Sequence, residues 1–380
     1  MGRVGKIRKV SKGIESYSYL MNGIAGIGKT TTVCEIGMKK FGEDGFLLIT
    51  LGAEPEPDHI GGVWNAVYKD IYEYDSISQT DKLIKTGWEQ LNEDIDSIVA
   101  ERNTEYKDLK MIGIDSIGEL FRLAETAVVE EYNATQKPAD RVKTINEAYK
   151  GYSRGKNRVV DLVTNLLIKI KDANISPFFI GHTKQKNTTD IISGTEFEQI
   201  TSDVETKYYN CIKDRVNIVM CAYMDRTYSD VETKKDKFTK KDKQVGKIQD
   251  EKRIVSFKDE NYAIDLKCHL TYMPDKCILD SDVIIEELEK AIDLQAKKYG
   301  GKTTTKAEVL SERKKEFEEK QEIKADETKV KEEKLEKIKN SVANLDMGKL
   351  QEIMKKYSIT GFNDAQSVPM EALDEILELI

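Results

Sequence analysis

No apolar run in this chain approaches the roughly 18 residues that a membrane-crossing helix needs, and the N-terminus has no apolar core of a signal peptide. Those two absences predict a cytoplasmic protein with no membrane partner. Cysteine is scarce: Cys34, Cys211, Cys221, Cys268 and Cys277 form no C-x-x-C pair and no zinc-type spacing. The expected state is therefore reduced thiols, not a disulfide framework or a structural zinc site. An excess of positive charge is also missing. With 60 Lys and Arg against 68 Asp and Glu, the net charge is −8. The whole molecule is thus no polycation built to coat nucleic acid, and any grip on a phosphate backbone must come from local basic patches. A length of 380 residues allows one large α/β domain with an appendage, or two domains.

What is present is a complete phosphate-binding loop, Gly23-Ile-Ala-Gly-Ile-Gly28-Lys29-Thr30, matching G-x-x-x-x-G-K-[ST]. Glycines let the backbone bend so that successive N–H groups face one concavity and chelate phosphate oxygens. The residues expected to hold ATP are Gly23, Ile24, Ala25, Gly26, Ile27, Gly28, Lys29, Thr30 and Thr31. Lys29 brings a point charge to the β- and γ-phosphates, and Thr30 offers a hydroxyl to Mg²⁺. The flanks suit this role. Residues 18–21 read as a short strand, and Thr31 to Phe41 as a helix whose positive end faces the anion.

From about residue 18 to 225, β-like runs alternate with helical stretches, which predicts a mainly parallel sheet with helices on both faces. The runs are Gly45–Leu51, Met111–Asp115, Pro177–Gly181 and Val216–Ala222. Apolar residues recur at helical spacing over Asp81–Ala100, Gly118–Asn133 and Arg158–Ala173. Lysines then crowd residues 226–253 and predict a solvated loop of a late β-hairpin whose strands are Arg253–Phe257 and Leu266–Tyr272. A helix from Asp282 to Lys298 closes the core. The predicted organisation is a basic arm over 1–17, a core over 18–298, a charged helical linker over 299–340 and a small helical module over 341–380.

Three further elements bear on the nucleotide. Leu109 to Asp115 is an apolar strand ending in an acid, and Asp115 there would position Mg²⁺ together with Thr30. Ser116 follows it, so the Asp-Glu pair of AAA+ sites is missing. Glu54 stands 25 residues after Lys29 at the C-terminal edge of a strand, placed to activate water, with Glu56 as the alternative base. In Phe178-Phe-Ile-Gly-His182-Thr-Lys184, His182 is placed to sense the γ-phosphate and couple it to residues 184–201, a polar segment expected to be mobile.

The order of phosphate loop, Glu54, Ile114-Asp115-Ser116, Gly181-His182-Thr183-Lys184 and a late basic hairpin resembles the phage-encoded RecA-like P-loop ATPases, including the Sak group of single-strand annealing proteins. The resemblance covers roughly residues 10–295. It implies a RecA-like core with Lys29, Glu54 and His182 as catalytic residues, ATP and Mg²⁺ as cofactors, and action on single-stranded DNA in phage recombination inside the host cytoplasm. It also implies a homo-oligomer whose site is completed by a neighbour; Lys252 and Arg253 are guesses for that trans-acting residue. DNA-gripping loops would fall near 133–157 and 184–201. After the magnesium strand, Arg141, Lys143, Lys150, Arg154, Lys156 and Arg158 stand among Tyr149 and Tyr152, the blend that single-strand binders use. The helical module would dock a phage or host replication or recombination protein. Two alternatives stay open: a replicative helicase or helicase loader, and a nucleotide-gated interaction protein that docks through its tail.

Overall fold

The run Phe46–Leu51 is apolar at every position but Thr50, which marks a strand covered on both faces. In the computed structural model every residue of it is buried, and the same holds for Tyr19–Gly23 and Met111–Asp115. The structure describes residues 9–76, 79–189, 194, 196–235, 242–259, 266–301, 303–341, 347–357, 359 and 368–379. The predicted basic residues Arg3, Lys6 and Arg8 lie outside the described residues, as do Lys237, Lys240 and Lys241 of the lysine run.

The chain forms two compact units, Met1–Lys306 and Ala307–Ile380. The first opens with β1 (Val10–Ser11), β2 (Tyr19–Gly23), α1 (Lys29–Phe41), β3 (Phe46–Leu51), β4 (Trp64–Tyr68), β5 (Ile71–Asp75), β6 (Thr80–Lys85) and α2 (Gly87–Ala100). It continues through β7 (Met111–Asp115), α3 (Ile117–Ala134), α4 (Arg154–Asp172), β8 (Ser176–Thr189), β9 (Glu196–Ser202) and α5 (Thr206–Lys213). Then come β10 (Ile218–Lys235), β11 (Asp242–Ser256), β12 (Lys267–Cys268), β13 (Lys276–Ile278), α6 (Ser281–Lys298) and β14 (Thr303–Thr304).

A ten-stranded sheet runs in the order β13-β11-β10-β2-β8-β7-β3-β4, with β12 and β9 paired off this path. The six strands from β10 to β4 are mutually parallel, and β11 and β13 add an antiparallel edge. The architecture is therefore mixed α/β around a mostly parallel sheet. Because side chains alternate across a pleat, each central strand feeds two cores. Leu20, Leu47, Ile49, Ile112, Ile114, Phe179 and Val219 face the layer made by α2, α3, α4 and α5. Met21, Leu48, Met111, Phe178, Ile180 and Met220 face α1 and α6 on the other side. No helix is long and apolar enough to cross a membrane among the described residues.

Several expectations need correction. The stretch 81–100 is not one helix: β6 occupies its first residues, and the helix starts only at Gly87. Its start is fixed by a capping box in which Thr86 Oγ1 accepts from the Glu89 N–H and the Glu89 carboxylate accepts from the Thr86 N–H. Segment 184–201 is a β-ribbon of β8 with β9 where it is described, not a loose loop. The late hairpin is formed by β10 with β11, so Lys234, Lys235, Lys243 and Lys247 sit on its arms, and β10 pairs with Arg253–Ser256. Strand pairing satisfies the backbone there.

The second unit has α7 (Lys306–Ser341), α8 (Met347–Lys356) and α9 (Met370–Leu377). Its core joins Leu335 and Ile338 of α7 to Leu350, Ile359, Val368, Leu373 and Ile376. The helical module thus begins inside the charged helix, two turns before residue 341. Residues just after 298 still belong to the first unit, since β14 pairs with β1. The module residues Gly361 and Phe362 lie outside the described set.

Candidate nucleotide site

Parallel strands bring their C-terminal ends to one edge, and here β2, β3 and β7 end in line with His182, from which β8 runs on. Register places Thr50 beside Asp115, Asp115 beside Ile180, and Gly23 beside His182. Consequently Lys29, His182 and Glu54, spread over more than 150 residues of sequence, meet at hydrogen-bonding distance, with Asp115 within 4.8 Å of Glu54 and His182.

The loop between β2 and α1 turns through Gly26 and Gly28, with φ of 74° and 110°. Gly28 in this left-handed conformation is the N-cap of α1, a geometry that side chains disfavour. The N–H groups of Gly28, Lys29, Thr30 and Thr31 find no acceptor among the described residues, and the helix ladder starts only with Thr32 N–H to Gly28 O at 2.9 Å. These unmet donors at a helix N-terminus suit a phosphate.

Lys29 is buried, with 5 % of its surface exposed. Its Nζ donates to the carbonyls of Gly23 and Ile24, both at 3.0 Å, and stands 3.3 Å from His182 Nδ1. Burial lowers its pKa, while Asp115 and Glu54 oppose that shift. Thr30 Oγ1 donates to Asp115 Oδ2 at 2.5 Å, which joins the two predicted Mg²⁺ positions in space. Burial raises the Asp115 carboxyl against the pull of the Thr30 hydroxyl. A carboxylate and a hydroxyl side by side form the hard oxygen pair that Mg²⁺ takes, the rest of its shell being water and phosphate. Oxygen or nitrogen atoms of Glu54, Asp115 and His182 also lie within 4.8 Å of one another.

Glu54 accepts from Ser116 Oγ at 2.6 Å and faces His182 Nε2 at 3.2 Å, both through Oε1. The hydrogen bond from His182 lowers the Glu54 pKa most, Ser116 adds to it, and burial works against both. Glu54 is therefore a carboxylate at neutral pH. In the neutral His182 ring, Nδ1 accepts from Lys29, which leaves the proton on Nε2 to donate to Glu54. The Glu54 hydrogen bond raises the His182 pKa, against the opposing effects of burial and Lys29.

The linkage has a definite sign. The raised His182 pKa contributes stability that is fully present below its ordinary value of 6.5 and fades as pH rises through the raised value. The lowered Glu54 pKa contributes stability present above its ordinary 4.5 and lost as pH falls through the lowered value. The stability gap between wild type and His182→Gln is thus expected to be widest between about pH 4.5 and 6.5 and to narrow above. Thermal melts across pH 4 to 9 check this; a gap that grows steadily to pH 9 contradicts the pairing.

The other expected base, Glu56, is exposed and makes no hydrogen bond to this cluster. Three participants escaped the sequence reading. Ser116, which entered it as part of the Ile114-Asp115-Ser116 motif and as the absence of a Glu but with no role of its own, donates to Glu54. His59 reaches Thr31 Oγ1 with Nε2 at 3.3 Å. Asp203, raised by burial, donates its backbone N–H to the His182 carbonyl at 3.2 Å. Adjacency to Asp115 was the only signal for Ser116; the other two come from loops with no motif.

Of the expected DNA-contacting residues from Arg141 to Arg158, the structure separates two groups. Tyr149 and Arg158 are tied to Glu131, at 2.7 and 3.0 Å, and Lys156 to Glu205 at 2.7 Å. Tyr152 is 93 % exposed, and Arg141, Lys143, Lys150 and Arg154 are exposed around it in sequence. No family model and no curated protein sequence matches this chain.

Proposed function

We propose that this chain is a RecA-like, Mg²⁺-dependent ATPase that acts on single-stranded DNA, as in the annealing or strand-exchange steps of phage recombination. The observation that carries the ATPase reading is the meeting of Lys29, Thr30, Asp115, Glu54 and His182 beside four free N–H groups of the phosphate loop. The Glu54 carboxylate takes a proton from a water as that water attacks the γ-phosphorus, and the bond to the bridging oxygen of ADP breaks. Thr30 and Asp115 would hold Mg²⁺, which would supply charge neutralisation at the phosphates. Lys29 turns from the Gly23 and Ile24 carbonyls toward the phosphates, and its hold on His182 Nδ1 changes with it. His182 lies on β8, the strand that runs on into the ribbon with β9. That connection gives the γ-phosphate a route to the ribbon.

Support for DNA comes from the surface. Lys184 and Lys186 are exposed on the β8 arm, and Tyr152 offers a free aromatic face among cations. Stacking on such a face contributes ~1–3 kcal/mol per base. A homo-oligomer, and docking of a replication or recombination partner by the Ala307–Ile380 unit, belong to the same proposal.

The test is ATP hydrolysis with Mg²⁺, with and without single-stranded DNA. Expected are stimulation by DNA, its loss in Tyr152→Ala, and loss of all hydrolysis in Lys29→Ala. Hydrolysis indifferent to DNA would favour the nucleotide-gated scaffold, and partner capture lost on deleting residues 341–380 would then identify its docking unit.

A further inference from the structure

Resting on that nucleotide reading, we infer that Arg253 contacts the terminal phosphates of the bound nucleoside triphosphate from within the same chain. The sheet register brings it there. Gly23, where the phosphate loop leaves β2, pairs with Ala222 of β10. The fit is close, since a Cβ on Gly23 would stand 2.6 Å from the Ala222 carbonyl oxygen. Two residues further along β10, Met224 pairs with Arg253 of β11. The loop therefore leaves β2 beside the stretch Ala222–Met224 of β10, on whose other side Arg253 of β11 is paired. Arg253 Nη1 lies 3.6 Å from the point where a Cβ on Gly28 would stand, beside the N-cap of α1.

The charged neighbours of Arg253 already have partners. Arg226 donates to Glu251 at 2.7 Å, and Lys252 pairs with Asp250 at 3.0 Å. The Arg253 backbone is fixed too, its carbonyl accepting from the Leu279 N–H at 2.9 Å. Its guanidinium alone of these three cations makes no hydrogen bond or ion pair among the described residues. An exposed guanidinium held at an N–H-lined anion cradle presents a fork of donors matched to phosphate oxygens. Lys29 approaches the cradle from the buried side and Arg253 from the solvent side. Two cations on opposite sides of the β- and γ-phosphates can stabilise the charge that spreads over the γ-phosphoryl oxygens during transfer. A neighbouring subunit is then not needed to supply this arginine, in contrast to the trans-acting role that the sequence resemblance implies.

The experiment measures Mg²⁺-ATP hydrolysis and equilibrium ATP and ADP binding for wild type, Arg253→Ala, Arg253→Lys, Lys29→Ala, and an equal mixture of Arg253→Ala with Lys29→Ala. Expected are a fall in kcat/KM of about 100-fold for Arg253→Ala, a smaller fall for Arg253→Lys, and ATP affinity reduced more than ADP affinity. The mixture should be no more active than its two components measured apart. Activity of Arg253→Ala within threefold of wild type overturns the inference. So does recovery in the mixture, because a subunit with an intact Arg253 would then be completing its neighbour's site. Wild type that neither binds nor hydrolyses ATP overturns the nucleotide reading itself, an outcome the wild-type arm reports separately. Arg253 is exposed, and unchanged thermal melts of both variants confirm that folding is not what the assay reads.

Discussion

Replacing Glu54 by Gln is expected to cut kcat for ATP hydrolysis by about 10²–10⁴-fold, the range that a positioned general base supplies. ATP affinity should stay within a few-fold of wild type. The amide keeps the size of the side chain and its oxygen can still accept from Ser116, so the local packing persists while the basic oxygen is lost. The physical reason for so large an effect is that the Glu54 carboxylate is held in place by Ser116 and His182 and is the basic oxygen proposed to face the water. His182 and Ser116 hold it ionised, whereas burial raises Asp115 next to it. Two carboxyl groups with opposite shifts in one site have separate tasks. In the proposed mechanism Asp115, which accepts from Thr30, takes the metal and Glu54 takes the water. Single-turnover phosphate release, read beside equilibrium nucleotide binding, decides the matter. A Glu54→Gln enzyme within threefold of wild type would reject Glu54 as the base, and a large loss in Glu56→Gln would move the role there.

The second large effect concerns the foundation of the phosphate loop. Helix α1 lies on β3 through a close approach of Gly37 to Phe46, whose ring is fully buried at 1 % exposure. A Cβ on Gly37 would stand 2.2 Å from Phe46 Cδ2, far inside contact distance. Phe46→Ala is expected to cost about 3–5 kcal/mol, from lost burial and the cavity left behind. Gly37→Ala should cost about 1–3 kcal/mol through overpacking, even though alanine is the better helix former by about 1 kcal/mol. The double variant should cost less than the sum, since the small residue at 46 vacates the space the new methyl needs. Both tryptophans, Trp64 and Trp88, lie in the Met1–Lys306 unit, so denaturant titrations followed by their fluorescence report that unit alone. Additive costs would show that the two positions do not share this contact. Nucleotide binding should weaken in parallel with stability, because α1 carries Lys29 and Thr30 at its first turn.

Much of this protein was legible in one dimension. The phosphate loop, the strand before it and the helix after it are contiguous, and their chemistry is local: glycines at positive φ, a helix N-terminus, a lysine next to it. The apolar runs ending at Leu51 and Asp115 read as buried parallel strands because both of their faces had to be covered. From this the mixed α/β class followed, as did the placing of Glu54 and Asp115 at strand ends; His182 instead lies inside β8, which runs on to Thr189. Where expectation failed, the competing physics was non-local. Residues 80–85 carry a pattern that suits a helix, but β5 offers them a ladder, and the capping box at Thr86 sets where helix begins. The polar segment 184–201 and the lysine run after 226 read as loops, since nothing in their composition announces a partner strand. Each gains one only when β8 meets β9 and β10 meets β11.

The sequence by itself determined which residues could bind phosphate and which strands would be buried, because both depend on residue type and near-neighbour spacing. Only the tertiary structure decided which atoms meet. That Glu54 is held by Ser116 and His182, that His182 also faces Lys29, and that Arg253 overhangs Gly28 all depend on strand order and register. Those are set by the whole sheet closing over its two cores, a balance of burial and backbone pairing summed over residues far apart in the chain.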